Sequence, residues 1–175
     1  FYTTRRDSRH SKELFLINSI AEPRPSLQTY RYSMPGEEGI RTVELYYYEK
    51  SNGKLVMLPK KWKDESYSSM TWMKDRTALR FTRRHRTLRK IEFSELDPKD
   101  GKVTVLLVEG AEDGYVKTQS KRTLKKSKEF IWWSERSGWG HYYLYSENYK
   151  LKNAITSGAF RASRIVSVDE ALGTM

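Results

Sequence analysis

Residues 130–145 read Phe-Ile-Trp-Trp-Ser-Glu-Arg-Ser-Gly-Trp-Gly-His-Tyr-Tyr-Leu-Tyr, and this stretch decides the fold class. Aromatic and branched residues fill both of its ends, and these residue types are enriched in β-strands. Between the two ends, Gly138 and Gly140 allow the backbone angles that a reversing chain needs. The pattern therefore predicts a β-hairpin, whose two arms we call strands B and C.

The same hairpin pattern recurs elsewhere in the chain. Residues 78–84 and 89–95 repeat both arms, and residues 43–48 repeat the second arm. After each second arm come a turn and then a lysine that opens another extended segment, strand D. These lysines are Lys54, Lys102 and Lys150, each 48 residues after the one before. The regular spacing predicts a structural repeat of about 48 residues.

A further segment, strand A, completes the predicted repeat. Residues 67–72 and 115–119 each precede a strand B, their leading tyrosines are also 48 residues apart, and residues 161–167 are the expected next copy. Aromatic-rich units of four strands are typical of β-propeller blades, which stack around a central axis. We predict an all-β chain that forms part of a β-propeller, with about three four-stranded antiparallel blades. The alternatives are an ordinary β-sandwich and a lipocalin-like barrel, in which all strands would belong to one closed sheet.

The repeat predicts one propeller domain fragment over residues 1–175. Residues 1–62 form a partial blade that opens in strand B, 63–110 and 111–158 form one blade each, and 159–175 form the first strand of the next. An insertion at about 14–40 interrupts the first blade. We expect an extra strand at 14–18 and, because of three prolines, an irregular connection over 21–37. The insertion has two open interpretations, a functional loop and a decorated sheet edge.

Composition narrows the function only slightly. The net charge of +11 favours anionic partners, and a turn at residues 83–90 concentrates arginine, lysine and His85. The alternative function is therefore a basic propeller module that binds an anionic polymer. A solvated loop is the plainer interpretation, because strand alternation sends neighbouring charges to opposite faces.

The absence of cysteine excludes disulfides, thiolate zinc sites and a cysteine nucleophile. No apolar run reaches the roughly 20 residues needed to span a bilayer.

Two strings carry a resemblance to a known family. Residues 133–145, Trp-Ser-Glu-Arg-Ser-Gly-Trp-Gly-His-Tyr-Tyr-Leu-Tyr, and 23–37, Pro-Arg-Pro-Ser-Leu-Gln-Thr-Tyr-Arg-Tyr-Ser-Met-Pro-Gly-Glu, resemble the N-terminal propeller of bacterial dipeptidyl peptidase IV-like serine peptidases. This group (S9B) belongs to the prolyl oligopeptidase superfamily, and the likeness extends over nearly the whole chain. It implies an eight-bladed propeller followed by a C-terminal α/β-hydrolase domain with a Ser, Asp and His triad.

The resemblance also implies a function. Members of this family release dipeptides from peptide N-termini, commonly after Pro or Ala, and the propeller shapes the substrate cavity and controls access to it. Bacterial members are usually exported, so we expect a periplasmic or secreted protein. The implied partners are peptide substrates and the hydrolase domain. A homodimer is compatible with the resemblance, a nucleic-acid partner is not expected, and no cofactor or metal is implied. Because the chain starts at Phe1 inside an expected strand, we expect it to be an excerpt of a longer protein.

No catalytic residue is assigned within this chain. It contains no Gly-x-Ser-x-Gly, the turn that exposes the serine nucleophile of an α/β-hydrolase. Its histidines, His10, His85 and His141, have no neighbouring serine or carboxylate pattern, so we expect structural roles for them. The catalytic domain is therefore expected to be absent from these residues.

Substrate-binding residues are only partly indicated. The family recognises the substrate amine with two adjacent glutamates, but Glu37 and Glu38 match a different family segment and do not take that role. Residues 115–120 match a region that lines the family's cavity, although 116–120 depart from its pattern. Glu135 and Arg136 match best and are the candidates for substrate binding. Their alternative role is structural, as a charge-assisted pair that fixes strand B to a neighbour.

Overall fold

A computed structural model of the protein describes residues 1–50, 52–73, 77–117, 121–124 and 127–175. These residues form thirteen β-strands and no helix. In chain order, the strands are β1 (Tyr2–Asp7), β2 (Glu13–Asn18), β3 (Ser26–Arg31), β4 (Thr42–Glu49), β5 (Lys54–Met57), β6 (Ser66–Trp72), β7 (Leu79–Arg84), β8 (Lys90–Leu96), β9 (Val103–Gly110), β10 (Arg122–Thr123), β11 (Phe130–Ser134), β12 (His141–Tyr145) and β13 (Leu151–Ala154).

The strands form three successive antiparallel sheets and a separate hairpin. The first sheet has the order β1-β4-β5, the second β6-β7-β8-β9 and the third β10-β11-β12-β13, while β2 pairs only with β3. No described strand pairs with a strand of another sheet, which excludes a single closed barrel. The predicted fold class, all-β with four-stranded antiparallel units, is confirmed.

Each pair of adjacent sheets buries an apolar layer between its facing surfaces. Leu45 of β4 and Phe81 of β7, both fully buried, belong to the layer between the first and second sheets. Phe93 of β8 and Trp132 of β11 belong to the layer between the second and third sheets, with ring centroids 6.2 Å apart. Because the second sheet contributes a face to both layers, its strands carry buried residues on both sides, as in stacked propeller blades.

The hairpin at residues 130–145 is formed as predicted. β11 and β12 pair in register from Phe130 opposite Tyr145 to Ser134 opposite His141. The lysine repeat is also confirmed as a structural register. Lys54 begins β5, whereas Lys102 and Lys150 lie immediately before β9 and β13. The period therefore marks the same turn-to-strand boundary in all three sheets.

The tyrosine register is wrong for the third sheet. Tyr67 lies in β6 as predicted, but 115–117 form no strand, 118–120 lie outside the described residues, and the first strand of that sheet is the short β10. The backbone amide of Val116 donates to the carbonyl oxygen of Leu88 (2.8 Å). This bond ties Val116 to the turn before β8 in the second sheet.

The strand expected at 161–167 is not formed. Residues 159–175 are irregular apart from an isolated bridge between Asp169 and Thr174. A β-strand requires a regular series of backbone hydrogen bonds to a neighbouring strand. This segment has no such partner among the described residues and contacts the third sheet through single hydrogen bonds. The Ala162 amide donates to the Gly140 carbonyl (2.8 Å), and Trp133 Nε1 donates to the Ala162 carbonyl (2.8 Å). The segment thereby covers the outer face of β11.

The insertion is more regular than the prolines suggested. The extra strand expected at 14–18 is present as β2, but β3 occupies part of the region expected to be irregular and pairs with β2 along six residue pairs. Pro23 and Pro25 do not prevent this strand, because they precede β3 and lie in the connection, where a missing amide removes no hydrogen bond between strands. Among the residues described, no helix is long and apolar enough to cross a membrane.

Candidate functional site

A cleft of about 300 Å³ opens where the second and third sheets meet. One wall is the segment that leaves β9, between Glu109 and Lys117, and the other is the turn from β11 to β12, with Glu135, Arg136 and Gly138. We call this feature the turn cleft. Both candidate residues from the sequence, Glu135 and Arg136, line it. The structure therefore brings them together with a third charged group that the sequence analysis missed, Glu109.

Glu109 organises the buried floor of the turn cleft. It lies at the end of β9, is 7% exposed, and accepts hydrogen bonds from the side chains of Trp132 (Nε1 to Oε1, 3.1 Å) and Ser134 (Oγ to Oε2, 2.7 Å). Arg136 Nη2 donates to the same carboxylate. Three donors from the third sheet therefore converge on one carboxylate of the second sheet. This arrangement offsets the free-energy cost of burying its charge.

Arg136 is held from several sides. Its Nε donates to Ser134 Oγ (3.0 Å), its Nη2 donates to Tyr145 Oη (2.6 Å), and its guanidinium lies 4.5 Å from the centroid of the Tyr143 ring. Burial alone would lower the pKa of the guanidinium, but the Glu109 carboxylate and the Tyr145 hydroxyl outweigh it, so the pKa of Arg136 lies above its ordinary value. Burial has the opposite effect on a phenol, and it raises the pKa of Tyr145. Arg136 thus remains a cation at the cleft wall.

Glu135 does not pair with Arg136, its neighbour in sequence. Its carboxylate lies 3.9 Å from Lys117 Nζ, across the mouth of the turn cleft, whereas Arg136 turns inward to Glu109. The structural role expected for the two residues is therefore divided between them. Arg136 fixes the third sheet to the second, and Glu135 with Lys117 forms a more exposed contact at the entrance. Their role in substrate binding stays a prediction.

Glu109 could have been found from strand alternation. Residues at i and i+2 point to the same face of a strand, and Leu107 of β9 is buried in the layer between sheets. Glu109 shares that face, so a carboxylate had to enter the same interface. The signal was weak because Glu109 directly precedes Gly110 and looks like the start of a turn.

Two arginines of the basic turn at 83–90, Arg83 and Arg86, form pairs with carboxylates inside the protein. Arg83 is 4% exposed and its Nε lies 3.5 Å from Oε1 of the buried Glu65, while Arg86 Nη1 lies 3.5 Å from Asp64 Oδ2. The backbone amides of Lys61 and Trp62 also donate to Glu65. These contacts join the first sheet's outgoing segment to the second sheet, as Glu109 and Arg136 do one sheet later. The turn therefore offers fewer charges to an anionic polymer than its sequence suggests.

The side chains of His141 and His85 form hydrogen bonds within the protein. His141 is 2% exposed, with Nδ1 3.1 Å from Thr156 Oγ1 and Nε2 3.0 Å from the Gly158 carbonyl oxygen. Because the Gly158 carbonyl oxygen can only accept, His141 donates from Nε2; Thr156 Oγ1 also accepts from the Tyr142 amide (3.1 Å). His85 Nδ1 contacts Thr87 Oγ1 at 2.8 Å within its own turn.

Glu37 also has a local role. It accepts from the backbone amide of Met34 (3.0 Å) and lies 3.3 Å from Lys12 Nζ. The Met34 amide, followed by Lys12, lowers the pKa of Glu37. Within the described part of the chain, no cluster of three or more histidine, aspartate or glutamate residues could hold a metal ion. The chemistry available at the turn cleft is charged hydrogen bonding, through Lys117, Glu135 and Arg136.

Stacked four-stranded sheets with short turns and charged inter-sheet contacts define the chain as part of a β-propeller. Comparison with known proteins is consistent with this class. The chain matches the family described as "Dipeptidyl peptidase IV (DPP IV) N-terminal region" over residues 2–175 and belongs to that family.

Two solved structures share its fold. The crystal structure of Porphyromonas gingivalis dipeptidyl peptidase 4 superposes with a TM-score of 0.76 at 20% identity, covering 97% of this chain and 24% of that one. The crystal structure of a putative dipeptidyl aminopeptidase IV from Bacteroides ovatus ATCC 8483 gives a TM-score of 0.67 at 21% identity, covering 90% of this chain and 25% of that one. The chain therefore spans about a quarter of the length of these proteins.

Proposed function

We propose that this chain is a non-catalytic propeller segment of an exported serine dipeptidyl peptidase that releases N-terminal dipeptides of the Xaa-Pro or Xaa-Ala type. The observation that carries the proposal is the family match over residues 2–175, together with stacked sheets of the same fold as two bacterial peptidases. The peptide bond would be broken by a C-terminal α/β-hydrolase domain. The protein would act in the periplasm or outside the cell.

Within that enzyme, we propose that the turn cleft lies along the path of the peptide. Its entrance carries Tyr115, which is 67% exposed, and the exposed contact between Lys117 and Glu135. A charged and aromatic rim can sort peptides by length and charge, because charged groups steer their approach and an aromatic side chain limits the width. The buried Glu109 and Arg136 beneath it would keep the two walls at a fixed separation.

The test of this role uses the whole enzyme and substrates of two lengths. Tyr115→Glu should change kcat/KM at least threefold for Xaa-Pro peptides of about ten residues, because the variant alters charge and size at the entrance. The same variant should leave kcat/KM for a chromogenic Gly-Pro substrate within about twofold. Val105→Ala, on the outer strand β9 and 40% exposed, is the matched control. Equal kcat/KM values for the long peptides in Tyr115→Glu and wild type would remove the turn cleft from the peptide path.

We also propose a homodimer in which the β2–β3 hairpin provides the contact. Phe15, Ile17 and Leu27 are each at least 60% exposed, and the outer edges of both strands are unpaired within the described residues. An isolated two-stranded hairpin with exposed apolar side chains is only marginally stable in water. In a symmetric dimer, one interface would bury the apolar side chains of both hairpins. This proposal assigns the insertion a role in self-association.

Sedimentation of the whole protein tests the dimer. Ile17→Asp should raise the dimer dissociation constant by at least tenfold, because it places a charge in an apolar contact. Val166→Asp changes a residue of the same kind that is 83% exposed in the C-terminal segment, and it should have no effect. A monomeric wild-type protein at micromolar concentration, or equal effects of both variants, would contradict the proposal.

A further inference from the structure

Lys121 lies between the second and third sheets, immediately before β10. Its Nζ stands 3.7 Å from the centroid of the Phe93 ring and 5.5 Å from that of Phe130. Tyr149 completes an aromatic group around this position, with its ring centroid 5.8 Å from Phe93 and 4.8 Å from Phe130. Ring faces attract a cation, but they replace only part of the hydration that an ammonium group loses on burial.

The charged groups near Lys121 do not compensate for that loss. Lys121 forms no ion pair within the described residues. The nearby carboxylate of Glu95 already accepts from Arg80 Nε (2.8 Å). Burial first, and then the positive charge of Arg80, lower the pKa of Lys121 from 10.5 to about 8, with Glu95 acting in the opposite direction. The structure therefore combines a partly buried amine, an aromatic surround and a neighbouring cation.

We propose that Lys121 is a site of selective N-acylation by small activated acyl donors of the acyl phosphate class. The lone pair of neutral Nζ attacks the acyl carbon, an N–C bond forms, and the C–O bond to phosphate breaks. Phosphate leaves with that bonding pair, and the proton lost from Nζ passes to water. No oxidant or reductant is needed. The inference goes beyond the proposed peptidase function and does not depend on it.

Both the amine and its surroundings suit this reaction. Lysines become effective nucleophiles when they are desolvated or placed beside another cation, because more of the amine is then neutral. At pH 7.5, a pKa of about 8 leaves about a quarter of Lys121 neutral, roughly 200-fold more than for an ordinary lysine. Lower basicity reduces the intrinsic nucleophilicity, which leaves an advantage of roughly tenfold. The amide product is uncharged and suits a position between the Phe93 and Phe130 rings, and a partly buried amine favours small donors.

Peptide mapping by mass spectrometry tests the inference in the full chain. The protein is treated with limiting acetyl phosphate at pH 7.5, and acetylation at Lys121 is compared with Lys54, Lys102 and Lys150, which are exposed. We expect Lys121 to react at least fivefold faster than each of them. Its rate should level off above about pH 8, while theirs continue to rise. A rate at Lys121 equal to or below that of the exposed lysines would overturn the proposal.

A pair of variants separates this electrostatic origin from a general loosening of the fold. Arg80→Gln removes the neighbouring cation and leaves Glu95 unpaired, so acetylation of Lys121 at pH 7.5 should fall at least threefold. Glu95→Gln leaves Arg80 unopposed, so acetylation should rise, and Lys54 should react at the wild-type rate in both variants. If the acetylation rate of Lys121 rose in both variants, or fell in both, the proposal would be overturned. Unfolding or looser packing would change the rate in the same direction in both variants. Near-ultraviolet circular dichroism of the tryptophans checks the fold of each variant.

Discussion

Replacing Glu109 by alanine should strongly weaken the contact between the second and third sheets. The carboxylate accepts from Trp132 Nε1, Ser134 Oγ and Arg136 Nη2, and both Trp132 and Ser134 are at most 4% exposed. A buried donor left without a partner costs about 1 to 3 kcal/mol, and Arg136 would lose its charge partner while half-buried. Arg136 can turn partly to solvent, so we expect the free energy of unfolding to fall by about 3 kcal/mol.

Urea unfolding followed by tryptophan fluorescence measures this loss. With a denaturant dependence of about 2 kcal/mol per molar for a chain of this size, the midpoint should fall by about 1.5 M. Glu112→Ala is the matched control, because Glu112 is an exposed glutamate three residues further along the same segment. Glu109→Gln should lie between the two, since the amide oxygen still accepts but the charge is gone. A midpoint for Glu109→Ala within about 0.3 M of the Glu112→Ala value would show that Glu109 does not hold the two sheets together.

Two further changes test packing and charge. Gly140→Ala should lower the free energy of unfolding by about 1 to 3 kcal/mol in the same urea titration, because an added Cβ would lie 2.1 Å from Trp133 Cζ2. Gly110→Ala is the control and should unfold close to the wild-type midpoint, because its Cβ would lie 3.9 Å from the nearest atom. The folded-state pKa of Lys121 is lowered to about 8, so the unfolded chain binds this proton more tightly and stability should rise from pH 8 toward pH 10. The rise should be about 1 to 2 kcal/mol after allowance for partial exposure, and Lys121→Met should abolish it whereas Lys54→Met should not; equal slopes in the two variants would contradict the assignment.

Much of the fold could be predicted because it is encoded in local patterns. The arms of the hairpin at 130–145 are strand formers with glycine between them, and Lys54, Lys102 and Lys150 mark turns whose geometry recurs in each sheet. Local chemistry is sufficient for such elements, because a tight turn and two alternating strands satisfy most of their own hydrogen bonds.

The failures concern segments whose structure is decided by distant partners. Val116 is bound by the Leu88 carbonyl of another sheet, and the segment around Ala162 lies against Trp133, so residues with strand-like composition remain irregular in both places. No short-range pattern records those contacts. β3 shows the converse, because pairing with β2 imposed a strand on a stretch that follows two prolines.

The candidate site could be predicted only in part. Glu135 and Arg136 were found because they match the family resemblance best, but their partners, Lys117 and Glu109, come from β9 and the segment that follows it. The sequence alone cannot say that two residues from different repeats meet. Lys121 was missed for a related reason. It belongs to a lysine-rich stretch that looks solvated, and only the packing of Phe93 and Phe130 shows that its amine is partly buried.

We propose that this chain is a propeller segment that serves a peptidase without cutting peptides itself. The most direct measurement is hydrolysis of a chromogenic Gly-Pro substrate by the whole protein and by residues 1–175 alone, both prepared free of host peptidase. We expect release of the chromophore by the whole protein and none by residues 1–175 alone. Hydrolysis by the chain alone, or none by the whole protein, would contradict it.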